Sequence, residues 1–272
     1  KLSEAWGQQV VVDNRGGAAS ILGMELGARA TPDGYNLVTC GTGAMVMNPA
    51  LYPKLPYHPI RDFAPLTTLA MTPQTLVTSP QNAMFRTMQE FVSVARSRPG
   101  QLSYATFGAG AANHLTMELL QRAASISLTA VPYKGTPMAQ LDLISGQVHV
   151  MFDAIGGVLP HVRANRLRAL GVATLERTPL APELPTIVEA GFPGFEVVGW
   201  IGIAAPAKTP APILDKLSAE LMRILATQEI KDRFAVLGLS PVGNTRQAFA
   251  KYIEAELAKW GKAVKDAGVK LE

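Results

Sequence analysis

Residues 102–115 read LSYATFGAGAANHL, and this stretch decides the class of fold. Leu102 to Thr106 is typical of a buried strand, and a helix is predicted to begin near Ala111. The glycine-rich turn between them joins strand to helix directly. Such turns place backbone N–H groups at the N-terminal end of a helix, where they point at a bound anion. The helix dipole is positive at this end and also favours the anion. The stretch therefore predicts an α/β fold with an anion site at the end of a strand.

The same alternation of strands and helices continues on both sides of this stretch. The other predicted strands are Gln9–Asp13, Tyr35–Cys40, Phe63–Ala70, Gln74–Ser79, Leu128–Tyr133, Val148–Asp153, Leu167–Ala173 and Val197–Ala205. Helices are predicted at 19–30 and from near Thr87, Thr136 and Gly156. The last third is mostly helical, with predicted helices at 210–226, 228–237 and 246–267.

Composition excludes several classes of protein. The 272 residues include 25 Lys and Arg against 21 Asp and Glu, a net charge of only +4, which argues against a nucleic-acid partner. The single cysteine, Cys40, rules out an internal disulfide and any CxxC motif. The apolar stretch from Val197 to Ala207 is well short of the roughly 20 residues of a membrane helix.

The start of the sequence gives a separate expectation. Lys1 to Gly7 is typical of the last turns of a helix, and it shows no signal peptide. In an α/β unit such a helix connects two parallel strands. We therefore expect that a strand and a loop precede Lys1.

Two further small-residue turns follow predicted strands. Gly41-Thr42-Gly43 comes after the strand ending at Cys40, and Tyr133-Lys134-Gly135-Thr136 comes after the strand ending near Tyr133. Ligands of open α/β sheets bind at such strand ends. The turns are equally compatible with tight packing alone, with Thr136 as the N-cap of the next helix. Together they predict a polar site lined by backbone donors and hydroxyls.

Nucleotide, metal and catalytic sites are disfavoured. Asn113 stands where the dinucleotide fingerprint needs a third small residue, and no GK[ST] follows a glycine-rich turn. The four histidines, His58, His114, His149 and His161, are too scattered to predict a metal site. Cys40 with His114 as its base is one catalytic alternative, but a lone strand cysteine is typical of an inert core residue. We expect no metal, no cofactor and no catalytic residue.

Asp153 has two open interpretations. It lies at the end of the predicted strand Val148–Asp153. Its carboxylate is placed either to accept a hydrogen bond from a ligand amine or to cap the following helix.

Seven motifs along nearly the whole chain resemble one known family. They are VDNRGGA (12–18), TPDGYNL (31–37), NPALYPKLPYHPIRDFAPLTTLA (48–70), FGAGAANHLTMELL (107–120), VPYKGTPMAQLDLISGQVHVMFD (131–153), LERTPLAPELPTIVEAGFPGFE (175–196) and AELAKWGKAVKDAG (255–268). The sequence thereby resembles the extracytoplasmic solute-binding receptors of tripartite tricarboxylate transporters, called Bug receptors in Bordetella. It departs from the family pattern at Gly16, His58 and His149 and in its start.

The resemblance implies a two-lobed, type II periplasmic-binding-protein (Venus-flytrap) fold. Lobe 1 is expected from residues 1–103 and 220–272, incomplete at its N-terminus, and lobe 2 from 104–219, with a small carboxylate held in the cleft between them. Carried over by position, the ligand-binding residues are Thr42, Gly43, Thr106, Phe107, Gly108, Ala109, Gly110, Ala111, Ala112, Tyr133, Lys134, Gly135, Thr136 and Asp153.

The resemblance also implies a function. We expect a monomeric periplasmic receptor, not an enzyme, that delivers a di- or tricarboxylate, an amino-acid-like acid or an aromatic acid to the membrane subunits of such a transporter. A cytosolic α/β enzyme or a ligand-sensing regulatory domain acting on a carboxylate is the alternative.

Overall fold

The computed structural model describes residues 1–15, 20–108 and 111–267. The helices are α1 (Leu2–Trp6), α2 (Ile21–Arg29), a π-helix at Gly43–Met47, α3 (Asn48–Leu51), α4 (Met88–Ser97), α5 (Ala112–Ala124), α6 (Thr136–Ser145), α7 (Ile155–Arg163), α8 (Ala211–Leu225), α9 (Gln228–Val236) and α10 (Arg246–Ala267). The strands are β1 (Val38–Gly41), β2 (Phe63–Thr78), β3 (Ser103–Thr106), β4 (Thr129–Pro132), β5 (Val150–Ala154), β6 (Arg168–Val172), β7 (Val198–Pro206) and β8 (Ser240–Pro241).

The chain divides into two compact units. Unit 1 holds residues 1–71, 200–236 and 240–272, and unit 2 holds 72–199 and 237–239. These boundaries differ from those expected for the lobes, since 72–103 lies in unit 2 and 200–219 in unit 1. The reason is strand pairing: β2 continues beyond Met71 and pairs with β5 and β6, while β7 pairs with β1. The two lobes with a cleft between them stay a prediction.

Unit 1 is built on antiparallel pairs covered by the C-terminal helices. β1 pairs with β7, and β2 pairs with β8 through Ala70 and Met71. The apolar face of α8 packs on the strands in a cluster of Leu66, Ala205, Leu214, Leu217 and Leu221. The Ser218 hydroxyl, on the same face, donates to the carbonyl of Leu66 at 2.8 Å. Apolar residues at helical spacing thus bury this face of α8.

Unit 2 contains a parallel core. β3 is paired in parallel with both β4 and β5, and β5 pairs antiparallel with β2. Behind the sheet lies a cluster of Val77, Ala105, Ala139, Leu143, Val148, Met151, Val158 and Leu167. The helix α4 begins with a capping box, in which the hydroxyl of Thr87 accepts from the backbone N–H of Glu90.

Three details differ from the sequence predictions. Residues 9–13 form no strand, and Val11 and Val12 are 74% and 79% exposed, because no strand in the described ranges pairs with them. The two strands predicted at 63–70 and 74–79 are the single strand β2. The π-helix and α3 were not predicted from the sequence.

Within the described ranges, no helix combines the length and apolar character needed to cross a bilayer.

Candidate functional site

The carboxyl ends of three parallel strands lie side by side in unit 2. In the register, Thr106 at the end of β3 stands beside Pro132 at the end of β4, and Ala105 stands beside Met151 of β5. The chain then enters α5, α6 and α7, so three helix N-termini follow neighbouring strand ends. We call this region, residues 106–108, 111–113, 133–136 and 153–157, the carboxyl edge of unit 2.

The turn after β3 is fixed by hydrogen bonds to its own neighbours. Gly108 has a φ of 108°, in the region that favours glycine, and its carbonyl accepts from the N–H of Ala111 at 3.2 Å. The hydroxyl of Thr106 donates to the same carbonyl at 3.3 Å. The side chain of Asn113 bonds the residue that follows β3: its Oδ1 accepts from the backbone N–H of Phe107 at 3.3 Å. Ala111 is then the N-cap of α5, and Ala112 its first residue.

The turn after β4 is tied to the turn after β3. The N–H of Tyr133 donates to the carbonyl of Thr106 at 2.7 Å, and its hydroxyl donates to Asp142 Oδ2 at 2.8 Å. Burial, with the bond to Asp142, raises the pKa of Tyr133 to about 12. Gly135, with a φ of 152°, is the N-cap of α6, and Lys134 is exposed. The prediction of Thr136 as the cap is therefore wrong, because the chain becomes helical one residue earlier.

Asp153 is buried at the end of β5, with 7% of its surface exposed. Its Oδ1 accepts from the N–H of Ala154 at 2.8 Å, and its Oδ2 accepts from Gln140 Nε2 at 3.3 Å. Burial raises the pKa of Asp153 to about 6, although both hydrogen bonds favour the charged form. The N-cap of α7 is Ala154, without a side-chain cap, so Asp153 bonds its neighbour's amide and does not cap α7.

The three helix N-termini differ in what faces them. Among the described residues, no side chain caps α5, α6 or α7, but Asp153 Oδ1 accepts from the N–H of Ala154, the N-cap residue of α7. The first N–H groups of a helix have no partner within it, and the helix dipole favours negative charge there. The carboxyl edge can therefore accept an external carboxylate at α5 and α6, next to a carboxylate of its own.

Thr42 and Gly43 lie in unit 1. The hydroxyl of Thr42 is buried and accepts from the N–H of Trp200 at 2.8 Å, so it anchors β7. Gly43 is exposed at the start of the π-helix. Trp200 packs edge-on against Phe249, with ring centroids 5.2 Å apart. Its indole nitrogen is buried with no hydrogen-bond partner in the part of the chain that the structure describes.

The two residues of the disfavoured catalytic pair belong to different units. Cys40 lies in unit 1 and His114 in unit 2. Burial raises the pKa of Cys40 to about 12, so its thiol is protonated at neutral pH. Burial lowers the pKa of His114, against the opposing effect of Glu118 3.7 Å away. In residues 1–15, 20–108 and 111–267, no three His, Cys, Asp or Glu side chains are grouped to hold a metal ion.

Two residues that shape the carboxyl edge were not predicted from the sequence. Asn113 shapes the turn, although the sequence shows it only as a departure from the dinucleotide fingerprint. Gln140 holds Asp153 from another element, 13 residues away, and no local pattern indicates that contact. The predicted residues Ala109 and Gly110 lie outside the described residues.

A groove of about 870 Å³ lies elsewhere on unit 2, between α4, α5 and residues 190–197. It contains none of the predicted ligand-binding residues.

Comparison with known proteins gives consistent matches over the whole chain. Residues 1–269 match the model of the "Tripartite tricarboxylate transporter family receptor" family. The "UPF0065 protein in tcbD-tcbE intergenic region" of Pseudomonas sp. (strain P51) is 39% identical over 265 residues, covering 97% of this chain and 78% of the relative.

Solved structures give the same picture. "R. palustris Rpa4515 with adipate" is 33% identical with a TM-score of 0.91, covering 99% of this chain and 90% of that one. "Structure of periplasmic binding protein BugD" is 32% identical with a TM-score of 0.88, covering 100% and 91%. These similarities confirm the mixed α/β fold of periplasmic binding proteins that the sequence predicts.

Proposed function

Since the chain belongs to the tripartite tricarboxylate transporter receptor family, we propose that it is a periplasmic receptor for a small carboxylate. It delivers this ligand to the membrane subunits of such a transporter, and it acts as a binding protein without turnover. The similar structure with adipate, a dicarboxylate, supports this class of ligand.

The carboxyl edge of unit 2 is the observation that carries the proposal. Two adjacent helices, α5 and α6, begin there without side-chain caps from the described residues, after turns in which Gly108 and Gly135 have positive φ. A helix N-terminus favours an anion by up to about 2 kcal/mol, and a charge-assisted hydrogen bond contributes roughly 1.5–3 kcal/mol. Two such ends suffice for a ligand carboxylate without a cationic side chain.

Calorimetry with dicarboxylates and their diamides tests the proposal. Succinate, glutarate and adipate are compared with succinamide, glutaramide and adipamide, which keep the shape and lose the charge. At least one carboxylate is expected to bind and to raise the melting temperature, and no diamide is expected to do so. Binding of the diamides, or chemical conversion of any carboxylate by the protein, would contradict a carboxylate receptor.

A pair of variants tests the predicted role of the main chain. Gly108→Val forces a branched residue to a φ of 108° and distorts the turn, whereas Lys134→Ala removes an exposed cation and leaves the turn intact. Gly108→Val is expected to weaken carboxylate binding at least tenfold, and Lys134→Ala less than threefold, by calorimetry. The reverse order would show that an ordinary ion pair carries the affinity.

A further inference from the structure

The two carboxylate oxygens of Asp153 accept hydrogen bonds of different length. Oδ1 is held by the backbone N–H of Ala154 at 2.8 Å, a short and local bond. Oδ2 accepts from Gln140 Nε2 at the longer distance of 3.3 Å, and the same Nε2 also donates to the carbonyl of Gly157 at 3.1 Å. Each carboxylate oxygen has two acceptor positions. Oδ2 therefore keeps acceptor capacity while Gln140 fixes its direction.

Gly157 leaves Oδ2 open on one side. A Cβ built on Gly157 would lie 3.4 Å from Oδ2 and 3.8 Å from Gln140 Nε2. Gly157 is itself exposed and carries no side chain, so no Cβ covers Oδ2 from this side. The backbone of Gly157 is not in the left-handed region, so its conformation does not require glycine there.

A charged acceptor at this position distinguishes between ligands. Burial raises the pKa of Asp153 to about 6, so the group is mostly ionised at neutral pH. A carboxylate bound at the neighbouring helix ends is repelled by it. A ligand with a hydrogen-bond donor beside its carboxylate can donate to Asp153, and this hydrogen bond offsets the repulsion. The unsubstituted acid has no such donor, so it binds more weakly, and this difference gives specificity.

We propose that Asp153 Oδ2, held by Gln140 beside Gly157, accepts a hydrogen bond from a hydroxyl or ammonium group on the carbon next to the ligand's carboxylate. The protein thereby selects hydroxy- or amino-substituted carboxylates over unsubstituted ones. This assignment rests on the proposed function and gives its substrate class.

Calorimetry with matched acids tests the selection. The sets are succinate, malate and aspartate; glutarate, 2-hydroxyglutarate and glutamate; and propionate, lactate and alanine. Within each set only the substituent on the carbon next to the carboxylate changes. Comparison of the hydroxyl and the ammonium member of a set shows which of the two donors is preferred. At pH 7.5 we expect the wild type to bind a substituted member of its preferred set at least tenfold more tightly than the unsubstituted acid.

Gly157→Ala is the central variant, because it covers Oδ2 without changing any charge. Alanine also favours a helix by about 1 kcal/mol over glycine, so folding is expected to be preserved. The selection ratio should fall below threefold. Gly261→Ala is the matched control, because Gly261 lies within α10 and an added Cβ has nothing within 4 Å. The selection ratio of this variant should equal that of the wild type.

Asp153→Asn gives an independent readout. The N–H of Ala154 holds the amide oxygen in place of Oδ1, so the NH₂ group takes the position of Oδ2 and turns an acceptor into a donor. Binding of the unsubstituted acid should strengthen and that of the substituted acid weaken. Glu183→Gln, which removes one exposed carboxylate from unit 2, controls for net charge.

The outcomes separate the two proposals. Equal binding of substituted and unsubstituted acids by the wild type, or an unchanged ratio in both Gly157→Ala and Asp153→Asn, would overturn this inference while the receptor function stands. If none of the nine acids, and none of the dicarboxylates tested above, binds, the proposed function is wrong and this inference falls with it.

Discussion

At the scale of single residues, the buried environment of Asp153 opposes the ionisation of its carboxyl group. Its pKa of about 6 in the folded protein lies above the ordinary value of 3.8, and burial is the main cause. Between these two pH values the folded state binds more protons than the unfolded state. Stability contributed by this group therefore falls as pH rises through that window, and it stays lower above pH 6.

Asp153→Asn is expected to stabilise the protein at pH 8 by about 1–3 kcal/mol, because the amide cannot ionise. At pH 3.5 the two proteins should differ by less than about 0.5 kcal/mol, since the wild-type carboxyl is then protonated in the folded state and mostly protonated in the unfolded state. Urea unfolding at the two pH values measures both differences. A constant difference at both pH values would show that packing, and not ionisation, separates the variants.

At the scale of secondary-structure elements, α7 has two adjacent glycines with different surroundings. A Cβ on Gly156 would overlap the carbonyl oxygen of Leu237, whereas one on Gly157 makes ordinary contact. Residues 237–239 belong to unit 2, so this close approach packs them against the start of α7. The glycine at 156 is needed for backbone approach, and that at 157 keeps Oδ2 of Asp153 open.

Gly156→Ala is expected to destabilise the protein by about 1–3 kcal/mol, because overlap with a backbone atom outweighs the gain in helix propensity. Denaturant unfolding with intrinsic tryptophan fluorescence gives the difference, and Gly261→Ala serves as the helical control. Equal stability of Gly156→Ala and the wild type would mean that 237–239 moves away at little cost.

At the scale of the whole molecule, the one cysteine reports on the opening of unit 1. Cys40 lies in β1 and is 3% exposed, and its pKa of about 12 leaves little thiolate at pH 8. Reaction with a thiol reagent therefore requires β1 to open, so the rate measures the free energy of that opening.

Labelling of native Cys40 at pH 8 is expected to be at least a thousandfold slower than labelling in 6 M guanidinium chloride. Absorbance with a chromogenic disulfide reagent follows both reactions, and Cys40→Ala should give no signal. Rapid labelling of the native protein would contradict the burial of β1.

Local patterns determined the class of fold and much of the carboxyl edge. The strand β3 and the start of α5 were predictable because a short apolar run, a glycine-rich stretch and a helical pattern depend on neighbouring residues. The run 9–13 was misread as a strand for the same reason: its local pattern is right, but a strand forms only with a partner.

The tertiary structure decided which residues meet. The hydroxyl of Thr42 accepts from the N–H of Trp200, 158 positions away, and Gln140 of α6 donates to Asp153 at the end of β5. The extent of β2 and the boundaries of the units likewise followed from pairing with β5, β6 and β8. Such contacts join distant residues, and their energies come from burial and strand pairing. The sequence by itself therefore determined most of the elements and their glycine turns, and only the folded chain decided which distant side chains and backbone groups meet.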